Sequence, residues 1–330
     1  MLVTEQIDHG EPGDVVAARD VADCGPPEAG QVRVRVEACP INPSDLLRLR
    51  GAYGTTPEPL PTGAGSQGVG RVMEVGADVA HLNPGDLVPL HRYFAGCGIW
   101  REQLNHSANR LSALPAGDLL QMAMISGNPP SAWLMLHDYR TLQPGDWIIQ
   151  NAANSSVGHY VAKIGSMLGL GVVNVVRRES AVDRVRRDIG DHVLVTSDAL
   201  TDEVAELTQG RLPVLAIDAV AGFETERLAA CLAEGGTLVN YGLLSGEPCR
   251  IHPRHLVFRD ITCKGFWLQR WWDETESDQI ASVHHRLAEM IADGTLQVPV
   301  AAIYPFSRVR EALAAAEQPE RPGKVFLIPD

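Results

Sequence analysis

A strand, a tight turn of small residues, a helix and a second strand follow one another in the middle of the chain. The first strand and the turn fall in Trp147–Gly158, and the second strand is Val172–Val176. Small residues let a backbone approach a pyrophosphate, and the helix N-terminus after the turn supplies N–H donors with a partial positive charge. This order of elements predicts a βαβ unit that binds a dinucleotide.

Two arginines, Arg177 and Arg178, follow the second strand, where the adenosine ribose of a dinucleotide is expected. An acidic residue there binds the 2′-hydroxyl of NAD, whereas arginines suit the 2′-phosphate of NADP, so we predict NADPH as the cofactor. Ala152 and Asn154 stand where glycines are usual, which leaves an ordinary βαβ unit with a solvated arginine pair as the alternative. The turn residues predicted to bind the cofactor are Asn151, Asn154, Ser155, Ser156, Val157 and Gly158.

Length, charge and cysteine usage restrict the class of protein. The chain has 330 residues, enough for two domains that each have a core. Its net charge of −13 disfavours nucleic acid and anionic membranes as partners. Six scattered cysteines without a C-x-x-C pair are typical of reduced thiols. The acidic start, Met1–Asp8, argues against a signal or transit peptide, so we expect a cytoplasmic location.

The hydrophobic pattern changes near Gly117. Before it, alternating segments such as Val32–Val36 and frequent Gly and Pro residues indicate β-rich structure. After it, helical and strand patterns alternate, which predicts an α/β fold with a Rossmann-type, doubly wound parallel sheet of six strands. The predicted strands are Trp147–Asn151, Val172–Val176, His192–Val195, Pro213–Asp218, Thr237–Tyr241 and Thr262–Phe266.

The C-terminal residues leave this βα pattern. An amphipathic helix is predicted over Ser277–Asp293, and Lys324–Ile328 has the character of a strand. A tail of this kind suits packing back onto the β-rich part of the chain. We therefore predict a discontinuous first domain, residues 1–117 and 270–330, and a nucleotide-binding domain, residues 118–269.

Several further segments resemble a known family. A first group resembles the medium-chain dehydrogenase/reductase superfamily, quinone reductases included: Gly65–Gly70, Asn83–Asp86 and Gln143–Asp146. A second group resembles its mitochondrial-type trans-2-enoyl-CoA/enoyl-ACP reductases: Ile41–Asp45, Gly51–Gly54, Gln150–Gly158 and Lys264–Leu268. The resemblance implies that the β-rich part is a GroES-like catalytic domain and that residues 118–269 are a Rossmann NADP-binding domain.

The family that this chain resembles reduces the α,β double bond of enoyl-CoA or enoyl-ACP thioesters with NADPH. Hydride adds to the β-carbon and negative charge develops on the thioester oxygen, so the reaction needs a group that donates a hydrogen bond or a proton. The resemblance implies that this group is Tyr53, and that Asn42 and Trp267 are also catalytic. Spacing alone favours a surface aromatic at Tyr53, because it lies in a Gly- and Pro-rich loop.

The resemblance also implies further cofactor residues and a homodimer formed through the edge strand after Thr262. Tyr241 follows an apolar strand at the edge where ligands bind α/β sheets. The segment Phe266–Leu268 suits the cofactor and acyl channel, or alternatively a dimer seam. Lys324 matches a lysine that binds the NADP phosphate, with a solvated lysine as the alternative. The implied cofactor residues are Tyr241, Gly242, Phe266, Trp267, Leu268 and Lys324.

Zinc-dependent members of the superfamily hold a catalytic zinc through thiolate, imidazole and carboxylate ligands. The matching positions here are Asn42, Ser66 and Gln67. Because amides and a hydroxyl do not make a zinc site, we predict no metal. The family commonly carries an acid in place of Gln67 and a glycine in place of Ser156, and both are departures of this sequence.

Two other functions stay open at this point. One is an NADPH:quinone or small-enone oxidoreductase of the same superfamily, which needs no thioester pocket. The other is a non-catalytic structural protein that binds NADPH. The predicted function is zinc-independent, NADPH-dependent reduction of an acyl-CoA or acyl-carrier-protein enoyl thioester, with Tyr53 stabilising the enolate or donating a proton.

Overall fold

The computed structural model describes residues 1–54 and 59–330, which form two compact units. The first unit is Met1–Pro130 with Thr275–Asp330, and the second is Ser131–Glu274. The sequence predicted boundaries after residues 117 and 269. The short helix at Leu119–Met122 packs against two strands of the first unit, which carries that unit past residue 117.

The described residues contain these elements in chain order. The strands are β1 (Leu2–Gln6), β2 (Val16–Asp20), β3 (Gln31–Pro40), β4 (Thr62–Gly63), β5 (Gln67–Val75), β6 (Leu87–His91), β7 (Gln103–Ser107), β8 (Trp147–Gln150), β9 (Gly171–Val176), β10 (Val193–Val195), β11 (Leu215–Asp218), β12 (Thr237–Asn240), β13 (Thr262–Gly265), β14 (Val300–Pro305) and β15 (Lys324–Ile328). The helices are α1 (Pro43–Leu49), α2 (Arg92–Ala95), α3 (Leu119–Met122), α4 (Asn128–His137), α5 (Ser156–Met167), α6 (Val182–Ile189), α7 (Leu200–Leu207), α8 (Phe223–Cys231), α9 (Pro253–Phe258), α10 (Leu268–Glu274), α11 (Ser277–Ala292) and α12 (Val309–Glu317).

The sheet of the first unit is built around β3. Alternate residues of this strand, Val32, Val34 and Val36, are fully buried, as a strand with one face on a core requires. β3 pairs with β5, β7 and β15, and the sheet runs β14-β15-β3-β5-β6. β15 pairs antiparallel with β3, with Leu327 opposite Cys39. The C-terminal tail therefore completes the central sheet of this unit.

The second unit contains a parallel sheet in the order β10-β9-β8-β11-β12-β13. The predicted six-stranded, doubly wound sheet is confirmed, and every predicted strand is present with ends that differ by at most two residues. Central strands buried on both faces need continuous apolar runs, and Ile148, Ile149 and Val173 supply them. The strand order reverses between β8 and β11. In open α/β sheets, ligands bind beyond the carboxyl ends of the strands at this point.

Among residues 1–54 and 59–330, no helix combines the length and apolar character needed to cross a membrane.

Gly65 packs against the core of the first unit, so a substitution there measures how tightly that core is packed. Its φ is +85°, and a Cβ there would lie 2.2 Å from Cδ1 of the buried Trp100 ring. We expect Gly65→Ala to lower the free energy of unfolding by about 2–4 kcal/mol, measured by thermal unfolding followed through tryptophan fluorescence. Gly85→Ala is the control, because its φ is +97° with nothing within 4 Å. It should cost only about 1–2 kcal/mol, and equal losses in the two variants would contradict the packing argument.

Candidate functional site

The turn between β8 and α5 brings a backbone close to a helix N-terminus. Ser155 caps α5, because its Oγ accepts a hydrogen bond from the Gly158 N–H at 3.1 Å. A Cβ on Gly158 would lie 2.6 Å from the Ala153 carbonyl oxygen, so only glycine allows this close turn. α5 is a 12-residue helix, and its first N–H groups together with its dipole favour an anion at this end.

Polar side chains beneath the turn hold it against the sheet. The Gln150 amide donates to the Gly158 carbonyl at 2.8 Å and to Asn174 Oδ1 at 2.7 Å. Gln150 and Asn174 are the paired residues of β8 and β9, and both are buried. The helix is therefore fixed to both strands of the βαβ unit.

The remaining predicted residues of the turn differ in exposure. Asn154 is exposed, Ser155 and Ser156 are half-buried, and Val157 is buried. Only the first three are therefore accessible to a ligand through their side chains. Val157 and Gly158 instead contribute backbone and packing.

Arg177 and Arg178 lie directly after β9 and are both exposed. Arg178 also precedes a short 3₁₀ helix, Glu179–Ala181, as its N-cap residue. The pair lies at the carboxyl ends of the strands, on the same edge of the sheet as the turn after β8. Two guanidinium groups at this edge suit a bound phosphate group.

Tyr241 and Gly242 follow β12 at the same edge of the sheet. Burial raises the pKa of the Tyr241 phenol well above its ordinary value, and a hydrogen bond with Ser155 opposes that rise. A Cβ on Gly242 would lie 2.5 Å from the Ala219 carbonyl oxygen. The backbone after β12 therefore packs directly on the backbone after β11.

The Asn151 side chain is directed into the protein. It is 3% exposed, its Nδ2 donates to Asp218 Oδ1 at 2.6 Å, and its Oδ1 accepts from the Ala219 N–H at 2.7 Å. From the sequence, Asn151 is predicted to bind the cofactor, and Asp218, at the end of a strand, is expected to position backbone rather than to perform chemistry. The structure makes Asn151 an internal link between two strand ends, with Asp218 as its partner.

The segment after β13 divides into three environments. The Phe266 N–H donates to the Asn240 carbonyl at 2.9 Å, and its ring lies edge-on to Tyr139 with centroids 6.2 Å apart. Trp267 is 38% exposed, and Leu268 begins α10. Phe266 is thus fixed at the strand edge, whereas Trp267 presents part of its ring to solvent.

In the first unit, the positions that match zinc ligands form a buried polar cluster. Asn42 Nδ2 donates to Gln67 Oε1 at 3.2 Å, and Lys324 Nζ donates to Asn42 Oδ1. Ser66 Oγ donates to Asp45 Oδ1 at 2.5 Å, and Asp45 Oδ2 accepts the Asn42 N–H at 2.8 Å. We call Asn42, Asp45, Ser66, Gln67 and Lys324 the polar cluster. Its internal hydrogen bonds satisfy these buried groups.

Both charged members of the polar cluster have shifted pKa values. The pKa of Lys324 is lowered to about 7, mainly by burial and in smaller part by the nearby charge of Arg321, while Asp45 opposes the change. Burial raises the pKa of Asp45, against the hydrogen bonds from Ser66 and the Asn42 N–H. The role of Lys324 at a cofactor phosphate stays a prediction; in this structure the residue is 3% exposed and its amine donates to Asn42.

Asn42 also begins α1, the helix that leads toward Tyr53. Because both polar atoms of its amide are used inside the polar cluster, its position anchors the start of that helix. Tyr53 is half-buried, and the Arg48 guanidinium carbon lies 4.8 Å from its ring centroid. The ring is therefore held by a cation–π contact from the helix that precedes it.

Among residues 1–54 and 59–330, no group of three or more His, Cys, Asp or Glu side chains is placed to hold a metal ion. The Lys324 amine donates a hydrogen bond to Asn42, one of the zinc-matching positions, so this amide oxygen is already used. His91 and His106 are both buried and hydrogen-bonded within the first unit. The absence of a zinc site stays a prediction that this donor chemistry supports.

Two family descriptions match the chain. An alcohol dehydrogenase GroES-like domain matches residues 28–126, and a zinc-binding dehydrogenase domain matches residues 156–284. Human mitochondrial enoyl-[acyl-carrier-protein] reductase is 36% identical over 326 residues, covering 97% of this chain and 86% of the relative. The comparison therefore extends over almost the whole of both proteins.

Solved structures show the same fold. A Bacillus thuringiensis protein assigned as an NADPH:quinone reductase has a TM-score of 0.90 and 30% identity, covering 100% of this chain and 99% of that one. The Etr1p complex with NADP and crotonyl-CoA, from a Candida tropicalis enzyme, has a TM-score of 0.85 and 23% identity, covering 99% of each chain. At that identity the second likeness concerns the fold alone.

The chain belongs to the medium-chain dehydrogenase/reductase superfamily and is an oxidoreductase. Within the superfamily it is similar to the mitochondrial enoyl-[acyl-carrier-protein] reductases of human, mouse and rat, each at 36% identity. The resemblance inferred from sequence, the two-part fold and the enzyme class are thereby confirmed. A non-catalytic structural protein is not supported.

The predicted cytoplasmic location is wrong by this comparison. The human, mouse, rat and Xenopus tropicalis relatives are all named as mitochondrial enzymes. The prediction depended on the acidic residues within Met1–Asp8. Those residues belong to the folded chain, since β1 includes Leu2–Gln6. The composition of a folded strand does not indicate the compartment to which a protein is targeted.

The shifted pKa of Lys324 predicts a pH-dependent stability. An unfolded lysine titrates near its ordinary pKa of 10.5, whereas the folded pKa is about 7. Between these values the unfolded chain binds more protons, so stability rises with pH and the gain is lost as pH falls toward 7. Between pH 7 and 9, we expect the free energy of unfolding of wild type to rise by up to about 1.4 kcal/mol per pH unit relative to that of Lys324→Met.

The free energy of unfolding is measured at each pH for wild type, for Lys324→Met and for a matched lysine variant. Lys264→Met removes an exposed lysine of β13 and should leave the pH dependence as in wild type. Parallel profiles for wild type and Lys324→Met would show that the Lys324 pKa is not lowered.

Proposed function

We propose that this oxidoreductase uses NADPH to reduce the α,β double bond of a trans-2-enoyl thioester, carried on CoA or on an acyl carrier protein. The observation that carries the proposal is 36% identity to human enoyl-[acyl-carrier-protein] reductase over 97% of the chain. A match over 97% of the chain covers residues of both units. The proposal therefore concerns the substrate as well as the cofactor.

The residues of the second unit fit a dinucleotide with a 2′-phosphate. The close turn at Gly158 and the capped N-terminus of α5 would hold the pyrophosphate. Arg177 and Arg178 would bind the 2′-phosphate, because exposed guanidinium groups at the end of β9 suit bidentate contacts. Ser155, with Tyr241 bonded to it, completes the polar surface of the turn. NADPH supplies a hydride when bound.

Tyr53 has the chemistry that the thioester requires. As the β-carbon is reduced, charge builds on the thioester oxygen, and a phenol O–H can donate a hydrogen bond to it or a proton to the α-carbon. Arg48 holds the Tyr53 ring, and Asn42 holds the start of the helix that carries Arg48. In this proposal Asn42 positions the catalytic loop. Trp267, partly exposed, is proposed to contact the substrate or cofactor.

A second candidate is reduction of a quinone or small enone. It is favoured by the 30% identity and TM-score of 0.90 with the Bacillus thuringiensis protein assigned as an NADPH:quinone reductase. Reduction of a quinone does not require a proton donor aimed at an α-carbon. The two candidates therefore differ in how far activity depends on Tyr53.

A homodimer stays a prediction of the resemblance. All residues of the edge strand β13 are exposed, and Phe258 before it is 80% exposed. An exposed parallel edge with an apolar neighbour suits strand pairing with a second copy.

The arginine pair tests the identity of the cofactor. We expect the double variant Arg177→Ser, Arg178→Ser to raise KM for NADPH by about tenfold or more, since it removes charge-assisted hydrogen bonds to the 2′-phosphate. KM for NADH, which lacks that phosphate, should change little. Arg187→Ser removes an exposed arginine of α6 and serves as the control. A wild-type preference for NADH would overturn the assignment of the pair.

The Tyr53 hydroxyl tests the substrate. We expect Tyr53→Phe to lower kcat for crotonyl-CoA reduction by about a hundredfold or more, the usual effect of losing a general acid, with NADPH binding unchanged. Initial rates of NADPH oxidation are measured with crotonyl-CoA, a longer enoyl-CoA and a quinone.

Tyr93→Phe is the matched control, since Tyr93 is a half-exposed tyrosine of the same unit. Quinone turnover without enoyl-CoA turnover in wild type would establish the second candidate instead. If Tyr53→Phe reduces crotonyl-CoA as fast as wild type does, the Tyr53 hydroxyl has no catalytic role.

A further inference from the structure

Asp218, the last residue of β11, is a buried carboxylate that accepts hydrogen bonds from three parts of the second unit. It is 0% exposed. Five donors converge on it, with Oδ1 accepting from Asn151 Nδ2 (2.6 Å), Val220 N (2.9 Å) and Ala221 N (3.0 Å), and Oδ2 from Thr225 Oγ1 (2.6 Å) and Asn240 Nδ2 (3.2 Å). Such a set saturates the lone pairs of an ionised carboxylate, which is an acceptor only.

These donors lie at the point where the strand order reverses. Asn151 follows β8, Asp218 ends β11, and β8 and β11 are neighbours in the sheet. The Ala219 N–H donates back to Asn151 Oδ1 at 2.7 Å, which closes a ring of hydrogen bonds across the two strand ends. Open α/β sheets bind their ligands just beyond this position.

The carboxylate also holds a backbone turn in an unfavourable conformation. Ala221 has φ of +65° and Gly222 has φ of +63°, so two consecutive residues are left-handed. Left-handed backbone at a residue with a Cβ costs about 1–2 kcal/mol. The hydrogen bonds from the Val220 and Ala221 N–H groups to Asp218 compensate for this cost.

The turn after β12 is linked to the same carboxylate. Asn240 donates to Asp218 and also to the Gly242 carbonyl at 2.9 Å. The Tyr241 N–H donates to the Asp218 carbonyl at 2.9 Å, and Gly242 packs on the Ala219 backbone. Displacement of Asp218 would therefore shift three turns together: those after β8, β11 and β12.

We propose that Asp218 is the positioning residue of the cofactor site, fixing the turns after β8, β11 and β12 as one rigid edge for the nicotinamide dinucleotide. This inference rests on the proposed function, because it assumes that the cofactor binds at this edge. Asp218 itself contacts neither cofactor nor substrate; it acts through Asn151, Asn240 and the turn that begins at Ala219. An asparagine at position 218 would place an NH2 group against the N–H donors that now bond the carboxylate. The ring of hydrogen bonds between the ends of β8 and β11 would then open.

The test uses the full chain and three variants. Asp218→Asn keeps the shape of the side chain and removes one acceptor oxygen. Thr225→Val removes a single donor to Asp218. Thr208→Val is matched to it, because Thr208 is a buried threonine of the same unit whose hydroxyl donates to the Val204 carbonyl of its own helix end at 2.8 Å. NADPH binding is followed by its fluorescence, and KM for NADPH and for crotonyl-CoA are measured separately.

We expect Asp218→Asn to raise the Kd for NADPH by about tenfold or more and Thr225→Val to raise it by about threefold. KM for crotonyl-CoA should stay near the wild-type value in both variants. Thr208→Val should match Thr225→Val in its lowered unfolding temperature but bind NADPH as wild type does. If a variant only lost part of its folded population, kcat would fall because less enzyme is active. KM for NADPH would then not rise while KM for crotonyl-CoA stays the same.

The outcomes separate this inference from the function on which it rests. If wild type does not bind NADPH, the proposed cofactor is wrong and the inference fails with it. If wild type binds NADPH and Asp218→Asn binds it equally well, the inference is overturned while the proposed function stands. If Asp218→Asn does not fold, the threonine pair decides: equal Kd values for Thr225→Val and Thr208→Val would overturn the inference.

Discussion

A polar group buried without a hydrogen-bond partner costs more than most single contacts contribute, and this constraint shapes both units of the chain. In the second unit, the Asp218 carboxylate is saturated by donors from neighbouring strand ends. In the first, the buried Lys324 amine donates to the Asn42 amide, which in turn donates to Gln67. Each unit thus has one polar centre whose geometry fixes the loops around it.

The polar cluster gives the prediction of a zinc-free site its physical basis, on a fold that zinc enzymes share. The amides of Asn42 and Gln67 bond each other where a metal would need charged ligands, and a lysine amine donates to Asn42. Ser66 is engaged by Asp45, which also caps the backbone of Asn42. The positions are therefore occupied by a network that supports the helix leading to Tyr53. In the proposed mechanism the chemistry is therefore left to Tyr53 rather than to a metal.

Patterns local in sequence predicted the fold well. The apolar runs at Ile148–Ile149 and Val172–Val173 mark buried parallel strands because burial on both faces demands continuous hydrophobicity. The small residues before Gly158 likewise predicted a close turn, since the physical requirement acts within a few residues. The tail strand at Lys324–Ile328 was identified residue for residue.

Roles that depend on contacts between distant residues were not predictable in the same way. Lys324 looks like a terminal surface lysine until its partner, Asn42, is known, and 282 positions separate the two. Asn151 looks like a cofactor ligand in the sequence, because its hydrogen-bond partner Asp218 lies 67 positions away. One signal was available: an Asn-x-x-Asp sequence, Asn42 to Asp45, is the pattern of a helix capping box.

The pairing of β15 with β3 has a consequence for how the chain is made. β3 is the central strand of the first unit and is synthesised early, but its neighbour β15 is synthesised only after the whole second unit. The second unit is contiguous in sequence, so its sheet can form while the C-terminal residues are still being translated. During that interval residues 31–35 of β3 can already pair with β7, whereas its Cys39–Pro40 end stays unpaired, and a chaperone that shields strand edges would act at this end rather than on the nucleotide-binding unit.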